Sequence, residues 1–260
     1  MLTSQGCVFG RRVAIIVCKF SFLGGRIGVA AAERITAAVQ RATAERLPLL
    51  VSPSSDGTRM QEGTVAFLQM VKIAAAVKLS KRAGLPYLGY LRNPTTGGVF
   101  ASWGSLGHVT VAEPGVLIGF LGPRVYELLY GEPFPSDIQT AENLQRHGVI
   151  DAIVTLDGLQ LTLNRALTMI ADVPKLIPTP QRPEPIPDVP AWNSVMGSRR
   201  PERPSVAQVL RHGATDRVLL SGPGHGEAAT TLLALARLAG QTAVVIGQQR
   251  KDGGNRPVSG

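Results

Sequence analysis

The chain has 260 residues, 44% of them hydrophobic and 5% aromatic, and a formal net charge of +9. That length suits one large domain, or one domain and a piece of another. The abundance of Ala, Leu, Val and Gly suits an α/β protein in which small residues let helices lie close to strands. The basic residues are scattered. Their densest group, Arg199-Arg200-Pro201-Glu202-Arg203, has no interleaved aromatic side chains, so no nucleic-acid partner is expected; a solvated surface or attraction for an anionic ligand is. No apolar run is read as approaching the ~20 residues that span a bilayer. The opening Met1-Leu2-Thr3-Ser4-Gln5 lacks the order of a signal peptide. A cytoplasmic location with no membrane partner is therefore expected. Cys7 and Cys18 make neither a disulfide framework nor a C-x-x-C zinc pair, so no metal is expected. Cys18, inside an apolar run, reads as a small core residue.

In chain order, Val13 to Val17 predicts a buried strand and Ile27 to Arg46 an Ala-rich helix. Leu49 to Ser52 predicts a short strand. Gln61 to Ala83 predicts a long helix, with Val65, Leu68, Gln69, Lys72 and Ala76 at helical spacing. Gly84 and Pro86 stop it. Further strands are expected at Tyr87 to Leu91, His108 to Ala112, Val116 to Phe120 and Val149 to Val154. Helices are expected at Pro123 to Leu129, Thr140 to His147 and Leu159 to Ala171. Repeated β-then-α order with short turns argues for parallel crossover units.

This first block, 1–172, is read as one domain. Residues 173–204 hold prolines at 174, 178, 180, 183, 185, 187, 190, 201 and 204 and read as a semi-rigid linker without continuous helix or central strand. Trp192 within it is expected to anchor the arm onto a neighbouring surface. A second block at 205–250 has strand candidates at Arg217 to Leu220, Leu232 to Arg237 and Thr242 to Ile246, with a turn at Gly240-Gln241. Both Gly10 to Val17 and Gly240 to Gly247 are a glycine turn followed by an apolar strand, which suggests that a second copy of the first domain begins here. Residues 251–260 are expected to be disordered.

His108, His147, His212 and His225 lie in neither a G-x-S-x-G nor an H-E-x-x-H setting and read as surface or satisfied histidines. Three glycine-rich turns that follow strands and open helices say more: Phe22 to Gly28, Ser54 to Gly63 and Asn93 to Ser102. Helix N-termini leave N–H groups unpaired at the positive end of a dipole, and glycine lets a ligand approach that backbone. Paired donors there can form an oxyanion hole, in which one donor is worth roughly 2.7–4 kcal/mol of transition-state stabilisation.

The ordered motifs Gly24-Gly25, Pro48 to Gly63 (with Ser55-Asp56-Gly57-Thr58-Arg59-Met60), Pro94 to Ser102 and Ala112 to Arg124 resemble the β subunit of bacterial acetyl-CoA carboxylase carboxyltransferase, from about residue 10 to 155. The block from about 200 to 250 resembles the opening of the α subunit. The whole looks like a fused β–α chain of the actinobacterial type, cut short. The resemblance implies an α/β, crotonase-like fold of stacked ββα superhelical turns, with the start of a second such domain. It implies transfer of carboxylate from carboxybiotin to the α-carbon of an acyl-CoA, giving a malonyl-type thioester for fatty-acid synthesis. Gly97 and Gly98 would give backbone N–H groups to the thioester enolate. Gly24, Gly25, Gly57, Thr58, Arg59, Met60 and Gly122 would line the acyl-CoA site. The biotin is expected not on this chain but on a biotin carboxyl carrier protein. A biotin carboxylase, an α-type carboxyltransferase half that holds the biotin ureido oxygen, and oligomer formation are the further implied partners.

Two positions depart from the family pattern. Its Ser-Gly-Gly-x-Arg is Ser55-Asp56-Gly57-Thr58-Arg59 here, which puts a carboxylate beside a site for an anion. Its Gly-Gly-Ser is Gly24-Gly25-Arg26, which adds a cation that could take phosphate. With its α-type half incomplete, the chain alone is expected to bind acyl-CoA weakly or not at all and to transfer no carboxylate. Two rival readings stand beside this one. One is a crotonase-type hydratase or isomerase, with Glu62 or Glu113 as acid/base by residue type. The other is an inactive remnant that serves in assembly and is marked by exposed apolar surface.

Overall fold

The computed structural model describes residues 1–172, 189–200, 202–220 and 231–248. They fall into two compact units, the first built on Met1–Ala171. It opens with a hairpin of β1 (Leu2–Val8) and β2 (Arg11–Val17), antiparallel with Leu2 opposite Val17 and Val8 opposite Arg11. Phe9 and Gly10 turn the chain with φ of 47° and 78°, the paired left-handed geometry that matches strand twist. Strand β1 was not expected, because Leu2 to Val8 is mostly exposed and lacks the alternation of a half-buried strand.

From β2 onward the crossovers are parallel, as expected. A six-stranded sheet runs β1-β2-β3-β4-β6-β8, with β3 Leu49–Ser52, β4 Tyr87–Leu91, β6 Val109–Ala112 and β8 Ala152–Ile153. Ala14 is registered on Leu49, Leu49 on Tyr87, and Leu88 on Val109. Helix α1 (Val29–Ala44) and helix α2 (Gly63–Arg82) cover one face. Ile35, Val39, Met70, Ile73 and Val77 pack there with Ile16, Leu49, Val51, Tyr87 and Trp103. Leu159, Leu163, Ala166 and Leu167 of α6 (Leu156–Ala171) cover the other, against Val13, Leu50, Leu88, Tyr90, Val109 and Val111. Alternate residues of β3 and β4 thus feed opposite cores, which is why both strands are apolar throughout. Cys18 is buried in the first core, and burial pushes its thiol pKa up, in keeping with an inert packing role.

A smaller pair, β5 (Thr95–Thr96) with β7 (Ile118–Gly119), is parallel, Thr95 on Ile118. Strand β5 leads into the helical turn α3 (Gly97–Val99), which runs on as a π-type turn over Phe100–Gly104. The strand expected at Val116 to Phe120 shrinks to these two residues of β7, with Phe120 68% exposed. Helix α4 (Pro123–Tyr130) follows. Helix α5 (Ala141–Arg146), whose start is capped by the Thr140 hydroxyl accepting from Asn143 N, packs Ala141 and Leu144 on Leu91, Ala112 and Ile118.

The spacing of α2 left its inward face open, and one expectation about this helix needs correction. Its buried face is Ala66, Met70, Ile73, Ala76, Val77 and Ser80, whereas Val65 and Leu68 are more than half exposed; the helix is apolar on two sides, so periodicity alone could not fix the inward one. Met60–Arg82, 23 residues with an 18-residue stretch of mean hydropathy 1.3, is also long and apolar enough by length and composition to cross a membrane. The expectation that no apolar run approaches a bilayer span fails here because Lys72 and Lys78 break the run without lowering its average far.

The second unit contains α7 (Ala191–Ser198), α8 (Val206–Gly213), most of β9 (Ala214–Leu220), β10 (Thr231–Leu238) and β11 (Gln241–Gln248). Helix α8 starts with a capping box: the Ser205 hydroxyl accepts from Gln208 N, and Gln208 accepts from Ser205 N. Its Leu210 packs with Ala234 and Ala236 of the sheet β11-β10-β9. The proline-rich stretch does hold a helix, α7, entered after Pro190, since no proline falls within Ala191–Ser198. Trp192, the expected anchor, is 64% exposed. Most of the linker, His225 and the tail 251–260 lie outside the described residues. The β10–β11 turn is Ala239-Gly240, with φ of 48° and 79°, rather than Gly240-Gln241. It repeats the Phe9-Gly10 geometry, so the sequence likeness around Gly10 and Gly240 is matched by two hairpins of the same turn type.

His108 is half-buried between β4 and α2, where its Nδ1 accepts from Tyr87 N at 3.0 Å. Burial and then the Lys81 charge push its pKa down. The folded chain therefore binds fewer protons here than the unfolded chain. Its contribution to stability is present above the ordinary histidine range and is lost as pH falls through it. Stability by urea denaturation should fall between about pH 7 and 5, and the fall should be shallower in His108→Gln, whose amide oxygen keeps an acceptor for Tyr87 N.

Candidate functional site

The three glycine-rich turns, distant in sequence, are joined backbone to backbone. Asp56 N donates to Gly24 O at 3.0 Å, Ile27 N to Gly57 O at 2.9 Å, and Arg59 N to Ile27 O at 2.9 Å. On the other side Ser55 N donates to Pro94 O at 2.6 Å and Thr96 N to Ser55 O at 2.9 Å. The middle turn is thus held on both flanks. The Ser55 hydroxyl closes it locally, accepting from Gly57 N at 3.0 Å, and Ser55 is fully buried.

Such close approach explains the glycines. Leu23, Gly24 and Gly25 follow one another with φ of 53°, 64° and 62°. A Cβ on Gly25 would lie 2.1 Å from Ser54 O, which no rotamer change relieves. Gly57, at φ 103°, faces Gly97, at φ 61°; a Cβ on either would come within 3.6–3.8 Å of the other's backbone. Gly98 lies beside Thr58 Cγ2 and Met70 Cγ. Gly97 and Gly98 are the first residues of α3, where a helix supplies no acceptor of its own. The structure therefore brings Gly57, Thr58, Gly97 and Gly98 into one cradle, with Arg59 next along the middle turn, bonded through its N–H to Ile27 O, and Gly24 and Gly25 on the adjoining turn. Met60 is 78% exposed at its rim. Gly122 is the N-cap of α4, and its segment meets the cradle at Phe120, whose carbonyl oxygen would lie 3.9 Å from a Cβ on Gly97.

Glu62 has a different place from the acid/base role considered by residue type. Its Oε2 accepts from Val29 N at 2.7 Å, and its Oε1 lies 3.6 Å from Arg59 Nε. It caps α1 from a remote turn, because the local N-cap, Gly28, offers no side chain. A Cβ on Gly28 would lie 2.2 Å from Glu62 Oε1. Sequence reasoning missed this cap, because the two partners are 33 residues apart. Tyr90, buried near Glu113, has its phenol pushed up to about 12 by burial and then by the Glu113 charge, so it stays protonated at neutral pH.

Glu62→Ala should cost about 1 kcal/mol of stability, the usual value of a helix cap, measurable by chemical denaturation. Gly25→Ala should cost more than about 3 kcal/mol, as expected for strain at a special backbone position. An alanine there that leaves the melting temperature unchanged would mean the turn is not held as described.

Residues 1–257 match the family model "Carboxyl transferase domain". Over 252 residues the chain is 75% identical to a probable biotin-dependent acyl-coenzyme A carboxylase beta3 subunit of Mycobacterium tuberculosis, covering 97% of this chain and 51% of that protein. It therefore spans about half the length of these relatives. An acetyl-coenzyme A carboxylase carboxyl transferase subunit beta of Sinorhizobium fredii is 45% identical over 174 residues, 67% of this chain and 57% of that protein. Among solved structures, transcarboxylase 12S with hydrolysed methylmalonyl-coenzyme A bound superposes with a TM-score of 0.72 at 21% identity, over 95% of this chain and 49% of that one. A Pseudomonas malonate decarboxylase hetero-dimer gives 0.56 at 20% identity, over 65% and 75%. These likenesses establish the expected crotonase-like α/β fold. The chain belongs to the carboxyl transferase domain family.

Proposed function

We propose that this chain forms the acyl-CoA-binding half of the carboxyltransferase of a biotin-dependent acyl-CoA carboxylase, working with an α-type half. The observation that carries this is the cradle of Gly57, Gly97 and Gly98. Glycine at these three positions keeps the facing backbones free of side chains at the start of a helical turn. A flat thioester fits such a place. Its carbonyl oxygen gains charge as the enolate forms, and the Gly97 and Gly98 N–H groups hold that charge where it develops. The buried Ser55 keeps the middle turn fixed, so the donors need little reorganisation. Thr58, Arg59 and Met60 form the wall along which the pantetheine arm leaves the cradle, and Gly24 and Gly25 form the turn beyond it.

Carboxybiotin, presented by a partner carrier protein and loaded by a biotin carboxylase, supplies the carboxyl group. None of the described residues is assigned to the biotin; the α-type half takes that role. Among the described residues no side-chain base is in the closest contacts of the cradle glycines, and none is compulsory: the biotin enolate left when the carboxyl group departs takes the α-proton of the acyl-CoA.

The test is label exchange between malonyl-CoA and free biotin, with the chain mixed with the α-type half of a relative. Exchange by the mixture and none by the chain alone is the expected result; no exchange at any ratio by folded protein counts against the assignment. In the active mixture, Gly98→Pro removes one donor and should lower kcat about 10²–10³-fold. Gly98→Ala keeps the N–H and meets only ordinary contacts, so it should lower kcat far less.

A second reading, assembly without catalysis, is favoured by one feature. Phe67, Leu68 and Val71 of α2 and Leu128 and Leu129 of α4 are all more than half exposed, an apolar surface of the kind that oligomers cover. Solution mass together with the exchange assay separates the two: a stable oligomer with no exchange supports assembly alone.

A further inference from the structure

The two departures from the family's glycine motifs meet in space. Arg26 Nη2 lies 3.9 Å from Asp56 Oδ2, across the contact in which Asp56 N donates to Gly24 O. Gly24 leaves room for the pair: a Cβ there would lie 2.9 Å from Asp56 Oδ2 and 3.7 Å from Arg26 Nε. Both side chains are partly exposed, 42% and 38%, so the contact adds little to stability. Its position matters more than its strength. Arg26 also lines a cavity of about 300 Å³ beside Gly25, with Lys19 and Arg34 on its wall. Phe22, Ala30 and Ala31 supply apolar surface to the same cavity. Lys19 and Arg34 make no ion pair among the described residues. Three cations around a partly apolar cavity suit a ligand that joins phosphates to a flat ring; no carboxylate is among its described lining residues, and the Asp56 carboxylate is faced by Arg26.

We infer that Lys19, Arg26 and Arg34 receive the phosphate-bearing nucleotide end of the acyl-CoA, and that Arg26 screens Asp56 so that this polyanion can approach. This rests on the acyl-CoA reading above. Arg26 and Asp56 are then a matched pair: the carboxylate is tolerated beside an anionic ligand because the guanidinium faces it. Unmasked, the Asp56 charge repels the ligand. With both charges removed, most of the repulsion goes with them, and Lys19 and Arg34 remain.

The test is calorimetric titration of the full chain with three probes: acetyl-CoA, acetyl-pantetheine, which has no phosphate, and adenosine 3′,5′-bisphosphate. Arg26→Gln should weaken acetyl-CoA about tenfold, and Arg26→Gln with Asp56→Asn should recover most of that loss. Lys19→Gln with Arg34→Gln should weaken both acetyl-CoA and the bisphosphate. Acetyl-pantetheine should be unmoved by any of them, a result that loss of fold would not give. The screening role is overturned if the Arg26/Asp56 double variant binds acetyl-CoA as poorly as Arg26→Gln. The nucleotide site is overturned if acetyl-pantetheine loses as much as acetyl-CoA, or if the bisphosphate ignores Lys19 and Arg34. Binding of the bisphosphate with the expected dependence, and of neither thioester more tightly, would keep the cationic site and sink the acyl-CoA reading instead.

Discussion

Everything proposed for this chain depends on backbone meeting backbone without side chains between. Five hydrogen bonds tie the turns that follow β2, β3 and β4 into one cradle, and each turn approaches its neighbour at a glycine. Side chains would serve badly there. A donor on a flexible side chain must be ordered each time charge develops, whereas a peptide N–H at the end of a helical turn is already aimed. The cost falls on the sequence, which must keep Gly25 and Gly57 bare at left-handed geometry.

The sheet exists to bring those turns to one edge. Parallel strands put equivalent ends side by side, so the turns after β2, β3 and β4 converge although about 70 residues separate the first from the last. The cores on the two faces do different work. The α1–α2 side carries the cradle: Met70 of α2 lies under Gly98, and α1 is capped by Glu62 from the turn that precedes α2. The α6 side closes the sheet from behind. Arg26 and Asp56 belong to the cradle side, where the first and second turns meet.

Much of this could be read from the residues. The strands from Val13 to Ala112 and the long helices have unambiguous patterns, and the glycine turns declared themselves by spacing. Three things could not be read. Strand β1 has exposed polar residues and is held by its partner rather than by its own pattern. The inward face of α2 was hidden, because Val65 and Leu68 are as apolar as Met70 and Ile73, and only packing on α1 distinguishes them. The Glu62 cap and the Arg26–Asp56 contact are non-local; sequence placed each residue in a turn but not the turns against each other.

The two-sided apolar character of α2 has a consequence for how the chain is made. Until it folds, Met60–Arg82 is a segment whose composition alone would suit a bilayer, with nothing to shield it. Synthesis delivers its landing surface first: β2, α1 and β3 all precede it, and Ile35 and Val39 form the face on which it packs. An N-terminal nucleus complete before α2 emerges would bury one side at once and leave only the other in need of protection. A rearranged chain that made α2 before α1 would contain every contact described here and still be exposed, during its synthesis, to aggregation that the natural order avoids.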